Sequence, residues 1–372
     1  MSVGALSASR FAAASTASQA SLFMRAARRE PVERTPVWFM RQAGRVLPEY
    51  RAIRERWTLI EICRQPELCA EVTLQPVHRF DPDAAIMFAD IMLPLLGSGV
   101  ALELVDEVGP VIASPIRDLA GVRALRPLEP EADVSFVLDT IRLVRQALGG
   151  AIPLIGFSGA PFTLASYLIE GKPSRDFAYT KAMMYGAPEL WHALMQRLAE
   201  LVIAYLEAQV RHGVDALQLF DSWVGCLAPD DYAQYVAPYT RRVFAALAPA
   251  GLPKIHFGTG TSTLLSQMRD DGASIIGVDW RLPLDDAWDR IAPLGIQGNL
   301  DPAVLLAPPS VIEARVLDVL RRAGGRPGHI FNLGHGLLPS TPIGSVHCVM
   351  DVVRGNASAE IRAGRTTTVG SA

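Results

Sequence analysis

Cysteine is scarce in this chain, and charge of either sign is close to balanced. Cys63, Cys69, Cys226 and Cys348 are the only cysteines among 372 residues, and no Cys-x-x-Cys occurs. That excludes a disulfide framework, and a reducing compartment fits best. Zinc is poorly served too: His347 and Cys348 are adjacent, and no histidine stands beside Cys63 or Cys69. Net charge is −3, so no general affinity for nucleic acid or a membrane surface is expected, and any anion site must be local. There is no Gly-rich phosphate loop, and no Gly-x-Gly-x-x-Gly at the first turn. The most apolar region, about residues 84–105, is interrupted by Asp90, Pro94 and two glycines, which makes it a poor membrane span.

What the chain has in quantity is apolar residues, many of them in strand-like runs. Half of it is hydrophobic, enough for a large core, and its length allows one large domain or two ordinary ones. Eight short apolar runs begin near residues 36, 84, 152, 215, 254, 274, 295 and 329. Helical spacing separates most of them, as in Asp133 to Leu148 and Glu189 to His212. Ser310-Val-Ile-Glu313 has the pattern of a capping box, opening a helix that runs to Gly324. Eight strand-then-helix units predict a single (β/α)8 TIM-type barrel, with a doubly wound sheet as the alternative. Val100–Val105 and Val108–Ile112, with Gly109-Pro110 read as the turn, predict a β-hairpin excursion after strand two.

A barrel puts its chemistry in the loops at the carboxyl ends of the strands. The polar residues fall there: Arg41 and Arg45 after strand one, Asp90 after two, Ser158 and Tyr167 after three, Ser222 after four, His335 after eight. Gly44 lets the backbone turn tightly or come close to a ligand. Two guanidiniums leaving one buried strand can meet carboxylates or phosphates in bidentate geometry. Arg51 reads as an outward helix arginine, and His256 as a satisfied core histidine. Trp38, Trp223 and Trp280 read as packing or cavity wall. Asp90 sits among Met87, Phe88, Ile91 and Met92, apolar company in which a carboxylate is costly to bury unpaired.

Two stretches carry a resemblance. Met40-Arg-Gln-Ala-Gly-Arg45 with Pro48-Glu-Tyr-Arg51, and Gly156-Phe-Ser-Gly-Ala-Pro-Phe-Thr-Leu-Ala-Ser-Tyr167-Leu-Ile-Glu-Gly171, resemble the two signatures of the uroporphyrinogen decarboxylase family. Phe88-Ala-Asp90-Ile91, Ser222 after Phe220-Asp221, and His335 in Asn332-Leu-Gly-His335-Gly match further positions. The resemblance covers about residues 22–356. It implies decarboxylation of the four acetates of uroporphyrinogen III to give coproporphyrinogen III, with no cofactor and no metal. It makes Asp90, Tyr167 and Arg41 the catalytic candidates. The substrate contacts it implies are Arg41, Gln42, Ala43, Gly44, Arg45, Asp90, Tyr167, Ser222 and His335. Asp90 would hold the pyrrole N–H groups, and the arginines and His335 the rim carboxylates. It further implies a homodimer in the cytoplasm.

Residues 1–21 read as a disordered extension and 357–372 as a polar tail. The first 29 residues hold no acidic side chain, six serines and four arginines, so a plastid transit peptide is the alternative for that end. Two further readings compete with the decarboxylase. A corrinoid-linked methyltransferase of the same fold would use zinc to activate a thiol, and the His-x-Cys pattern is absent. A non-catalytic tetrapyrrole-binding protein would need the arginines but neither Asp90 nor Tyr167.

Overall fold

The computed structural model describes residues 16–105 and 108–355. Most of the expected extension and the whole expected tail lie outside them. Of the first 21 residues, Thr16–Gln19 forms a short helix whose Ser18 is buried.

The main sheet has seven strands: β1 (Ala85–Ile86), β4 (Leu154–Gly159), β5 (Ala216–Asp221), β6 (Lys254–Gly258), β7 (Ile275–Gly277), β8 (Gly295–Leu300) and β9 (His329–Leu333). All neighbours pair in parallel, and spatial order follows chain order without reversal. A doubly wound sheet needs a reversal at its switch point, so that alternative is excluded. β2 (Leu102–Val105) and β3 (Gly109–Ile112) form a separate antiparallel pair, with Val105 opposite Gly109 and Leu104 opposite Pro110. Gly109 and Pro110 therefore belong to a strand and not to the turn.

The expected first strand, Pro36 to Met40, is not a regular strand. It makes one parallel bridge, Val37 to Phe331 of β9. On its other side the Val37 carbonyl accepts the Asp83 N–H at 2.8 Å. The Asp83 carboxylate fixes this segment beside β1, taking the Val37 N–H at 2.8 Å and both Arg34 nitrogens at 2.6 and 2.7 Å. Bonds to Asp83 replace the ladder that a longer strand would have made.

The sheet is curled. Gln297 on β8 donates to Gln218 on β5 at 3.0 Å, although two strands lie between them. Trp38 Nε1 donates to Gln297 Oε1 at 3.1 Å, so a buried polar chain crosses the interior. Trp38 thus packs, as expected, but also satisfies its indole N–H. Apolar faces of long helices, Pro66–Phe80 and Pro188–Arg211 among them, cover the outside. Each of these two helices starts with proline at its first turn, where no donor is lost. The same holds for Pro309–Ala323, which has Pro308 as its cap and no side-chain cap bond. The capping box expected at Ser310 does not form. No helix among the described residues is long and apolar enough to cross a membrane.

Candidate active site

Arg41 follows the irregular first segment with φ at +59°, a left-handed conformation that costs a non-glycine residue of order 1–3 kcal/mol. The surroundings impose it. Met40 N–H donates to Asn332 Oδ1 at 3.1 Å, and its carbonyl accepts the Leu337 N–H at 3.0 Å. Two glycines then make room. A Cβ on Gly336 would lie 2.4 Å from Arg41 Cδ, and one on Gly44 would lie 3.1 Å from the Arg41 carbonyl oxygen. The tight turn is thus at Arg41, and Gly44 serves a close backbone approach.

The side chain of Gln42 turns inward. Its amide accepts from Phe39 N–H at 3.1 Å and donates to the Ala84 carbonyl at 3.2 Å, so it braces the loop. Ala43 and Gly44 are half-buried beside it, and Arg45 is exposed. Arg51, exposed as expected of an outward arginine, donates to the carbonyls of Arg45 and Val46 at 2.9 and 3.2 Å.

Asp90 is half-buried, and its Oδ1 accepts the Met92 N–H at 2.8 Å. Burial raises its carboxyl above the usual range, against the pull of that N–H and of the Arg41 charge. Tyr167 lies on helix Pro161–Glu170, directly after β4. Its phenol is pushed up to about 12, mainly by burial, with a hydrogen bond to Trp223 and the Arg41 charge opposing and the Asp90 charge adding. Its ring meets Trp223 edge-on at 5.9 Å. The backbone N–H of Trp223 in turn donates to Thr163 Oγ1 at 3.4 Å, and that hydroxyl donates to buried Asp221 at 2.9 Å. Ser222, half-buried, accepts the Thr259 hydroxyl on its carbonyl at 2.6 Å. Ser158 is fully buried, and its hydroxyl donates to the Gly159 carbonyl at 3.1 Å.

His335 accepts the Gly336 N–H on Nδ1 at 2.7 Å, so its proton sits on Nε2. Burial, aided by the charges of Arg41 and Arg281 and opposed by Asp279, lowers the imidazole to about 4. At neutral pH it is an uncharged hydrogen-bond donor. Arg41 therefore lies within electrostatic reach of Asp90, Tyr167 and His335, although the four come from three separate loops and a helix.

His256 does not match its reading as a satisfied core histidine. It is fully buried, but neither ring nitrogen has a hydrogen-bond partner, and Nε2 stands 3.5 Å from Asp221 Oδ2. Among the described residues no group of three or more His, Cys, Asp or Glu side chains could hold a metal ion. A cleft of about 610 Å³ lies away from the mouth, lined by Glu49, Glu71, Gln75, His78, Arg79 and His347 among others. Sequence reading missed Asp279 and Arg281, whose signal was an acidic and a basic residue at the end of the strand beginning near 274.

Loops at the carboxyl ends of a curled parallel sheet gather guanidiniums, a carboxyl, a phenol and a neutral imidazole. The fold is that of the barrel-like α/β class, in which chemistry sits at this end of the sheet. The chain belongs to the uroporphyrinogen decarboxylase family: the family model described as Uroporphyrinogen decarboxylase (URO-D) matches residues 18–355. A uroporphyrinogen decarboxylase of Thermus thermophilus is 56% identical over 333 residues, covering 90% of this chain and 97% of that protein. One from Sorangium cellulosum is 55% identical over 332 residues, covering 89% and 95%. Among solved structures, a methyltransferase from Methanosarcina mazei aligns with a TM-score of 0.78 at 20% identity, covering 91% of this chain and 99% of that one. At that identity the likeness shows the fold alone.

Proposed function

We propose that this chain is a carboxy-lyase that removes the four acetate carboxyls of uroporphyrinogen III, giving coproporphyrinogen III in porphyrin biosynthesis. The observation that carries the reading is the family match over residues 18–355. The mouth supports it with cationic groups on one side and one carboxyl on the other.

Loss of CO2 from an acetate leaves an electron pair on the methylene carbon. A pyrrole protonated at a ring carbon accepts that pair, so the substrate supplies its own sink and no cofactor enters. A proton then adds to the methylene carbon and the ring carbon gives up the proton it had gained, so the pyrrole is restored and each acetate becomes a methyl at the net cost of one proton. Asp90 accepts the pyrrole N–H groups. Its burial raises the carboxyl, and N–H donors arriving with substrate favour the ionised form again. The resulting charge stabilises the protonated pyrrole. Tyr167 remains a phenol at neutral pH and acts as a hydrogen-bond donor. Arg41 and Arg45 bind rim carboxylates, with His335 as a neutral donor beside them. Ser222, Ala43 and Gly44 line the same mouth, and Gln42 holds the loop in place.

The finer architecture is a (β/α)8 barrel in one domain spanning about residues 22–356, closed by the segment Pro36–Met40. The pair β2 and β3 is its hairpin excursion. The chain works as a cytoplasmic homodimer.

The decisive experiment is anaerobic incubation with uroporphyrinogen III, followed by oxidation and chromatography of the porphyrins. Coproporphyrin, with smaller amounts carrying seven, six and five carboxyls, is the expected result. Unchanged uroporphyrin would remove the reading.

A further inference from the structure

Trp280 and Arg281 follow β7 on a short loop that is held from three sides. Asn299 Nδ2 donates to the carbonyls of Asp279 and Leu282 at 2.9 and 2.8 Å. The Asp279 carboxylate is 4% exposed and accepts the Gly260 N–H at 2.5 Å and the Arg281 N–H at 2.9 Å. Trp280 packs on Gly334, where a Cβ would lie 2.6 Å from the Trp280 nitrogen. Gly334 directly precedes His335.

The Arg281 side chain is fixed on this platform. Nη1 donates to Asp279 Oδ2 at 2.5 Å, and the guanidinium carbon stands 4.5 Å from the centre of the Trp280 ring. Its side chain is 52% exposed all the same. An exposed arginine paired with its near neighbour ordinarily adds little stability. Here Asp279 already accepts two backbone N–H groups, so the ion pair is not what satisfies it. What the pair and the ring contact do is orient a planar donor. Stacking and pairing both reduce the freedom the side chain would lose on binding. The Arg281 charge reaches His335 together with that of Arg41, so the three groups act on a common space.

We propose that Arg281 is a third guanidinium contact for a peripheral carboxylate of the substrate, beside His335, and that it sets specificity for highly carboxylated tetrapyrroles. The proposal rests on the decarboxylase reading and names a contact within its site. Arg281 binds and does not take part in bond breaking, so it contributes to KM more than to kcat.

The test compares the wild-type chain with Arg281→Ala, Arg281→Gln and Arg281→Lys. Arg321→Ala, an exposed arginine paired with Asp318, is the control for loss of one positive charge. KM and kcat are measured with uroporphyrinogen III, and equilibrium binding with uroporphyrin by fluorescence. Thermal melts confirm folding. Arg281→Ala and Arg281→Gln are expected to raise KM and weaken binding about tenfold to a hundredfold, the range of a charge-assisted contact, with kcat little changed. Arg281→Lys restores part of the loss, and Arg321→Ala changes nothing. Unchanged KM and binding in folded Arg281→Ala or Arg281→Gln would overturn the proposal, as would an equal loss in Arg321→Ala. A wild-type chain that leaves uroporphyrinogen untouched would refute the decarboxylase reading, and the binding arm then decides Arg281 by itself. Weaker uroporphyrin binding by the variants upholds the contact; equal binding, or none by the wild type, overturns it.

Discussion

On one side of the comparison, Arg41, Arg45 and His335 sit on loops, with Met40 beside Arg41 bonded to Asn332 and Leu337 near the other end of the chain. On the other, Asp90 and Tyr167 sit against apolar and aromatic side chains. The first side places its donors by close approach: Arg41 takes a left-handed backbone, and its side chain lies where a Cβ on Gly336 would be. The second places its groups by packing, with Tyr167 against Trp223 and Trp223 tied through Thr163 to buried Asp221. Their electrostatics differ accordingly. Burial pushes Asp90 and Tyr167 toward their protonated forms and His335 toward its neutral one. Without substrate the packed side resists charge, while the loop side carries it in two guanidiniums. Under the proposed function, a ligand with N–H groups at its centre and carboxylates at its rim would complement both.

The largest effect is expected on the packed side. Asp90→Asn keeps size and polarity but removes the charge proposed to stabilise a protonated pyrrole. Such a loss in a water-poor site typically costs about 10²–10³-fold in kcat. Near-normal turnover by a folded variant would move the chemistry to the loop side.

Next comes the fork on the loop side. Losing one bidentate arginine–carboxylate pair costs roughly 1.5–3 kcal/mol, and lysine restores the charge but not the geometry. Arg41→Lys and Arg45→Lys should therefore bind substrate more weakly. Because decarboxylation is sequential, they should also release intermediates with seven, six and five carboxyls, which chromatography resolves. If all steps slow equally and no extra intermediate escapes, these arginines act in the chemistry or brace the loop.

Gly336→Ala tests how the loop side is built without touching a donor. A Cβ 2.4 Å from Arg41 Cδ must displace that side chain, so KM should rise by roughly tenfold, of the order of one charge-assisted bond. An unchanged KM would mean that Arg41 binds substrate from another position.

The smallest effect is on pH dependence. Under the proposed function Asp90 acts as a carboxylate, and burial raises its pKa, so kcat/KM should fall as pH drops through that raised value. His335, lowered to about 4, is neutral at neutral pH and is expected to add no limb near there. His335→Gln should weaken binding modestly and leave the acid limb where it was. A limb that shifts in this variant would show that the imidazole titrates during turnover, and would blur the contrast between the two sides.

Much of this protein is legible in its amino-acid order. The apolar runs at 84, 152, 215, 254, 274, 295 and 329 each hold a parallel strand, because burial on both faces leaves a local mark in the sequence. The positions of Asp90, Tyr167 and His335 after those runs, and of Arg41 after the run at Pro36, are equally visible there. The run at Pro36 has the same local mark but becomes a bridge, since Asp83 takes the bonds that a ladder would have used. The inward turn of Gln42, the left-handed Arg41 and the orphaned ring nitrogens of His256 leave no trace in spacing or composition. Nor does the platform under Arg281, which needs Gly260, Asn299 and Gly334 together. Hydrophobic period and strand ends are short-range properties, so residue order alone sets which segments are buried and which residue types follow them. Which of those residues meet is a long-range matter, settled by how the strands and helices pack. Arg41 touches Gly336, and Trp38 reaches Gln218 through Gln297, because the sheet curls until the two ends of the chain lie side by side.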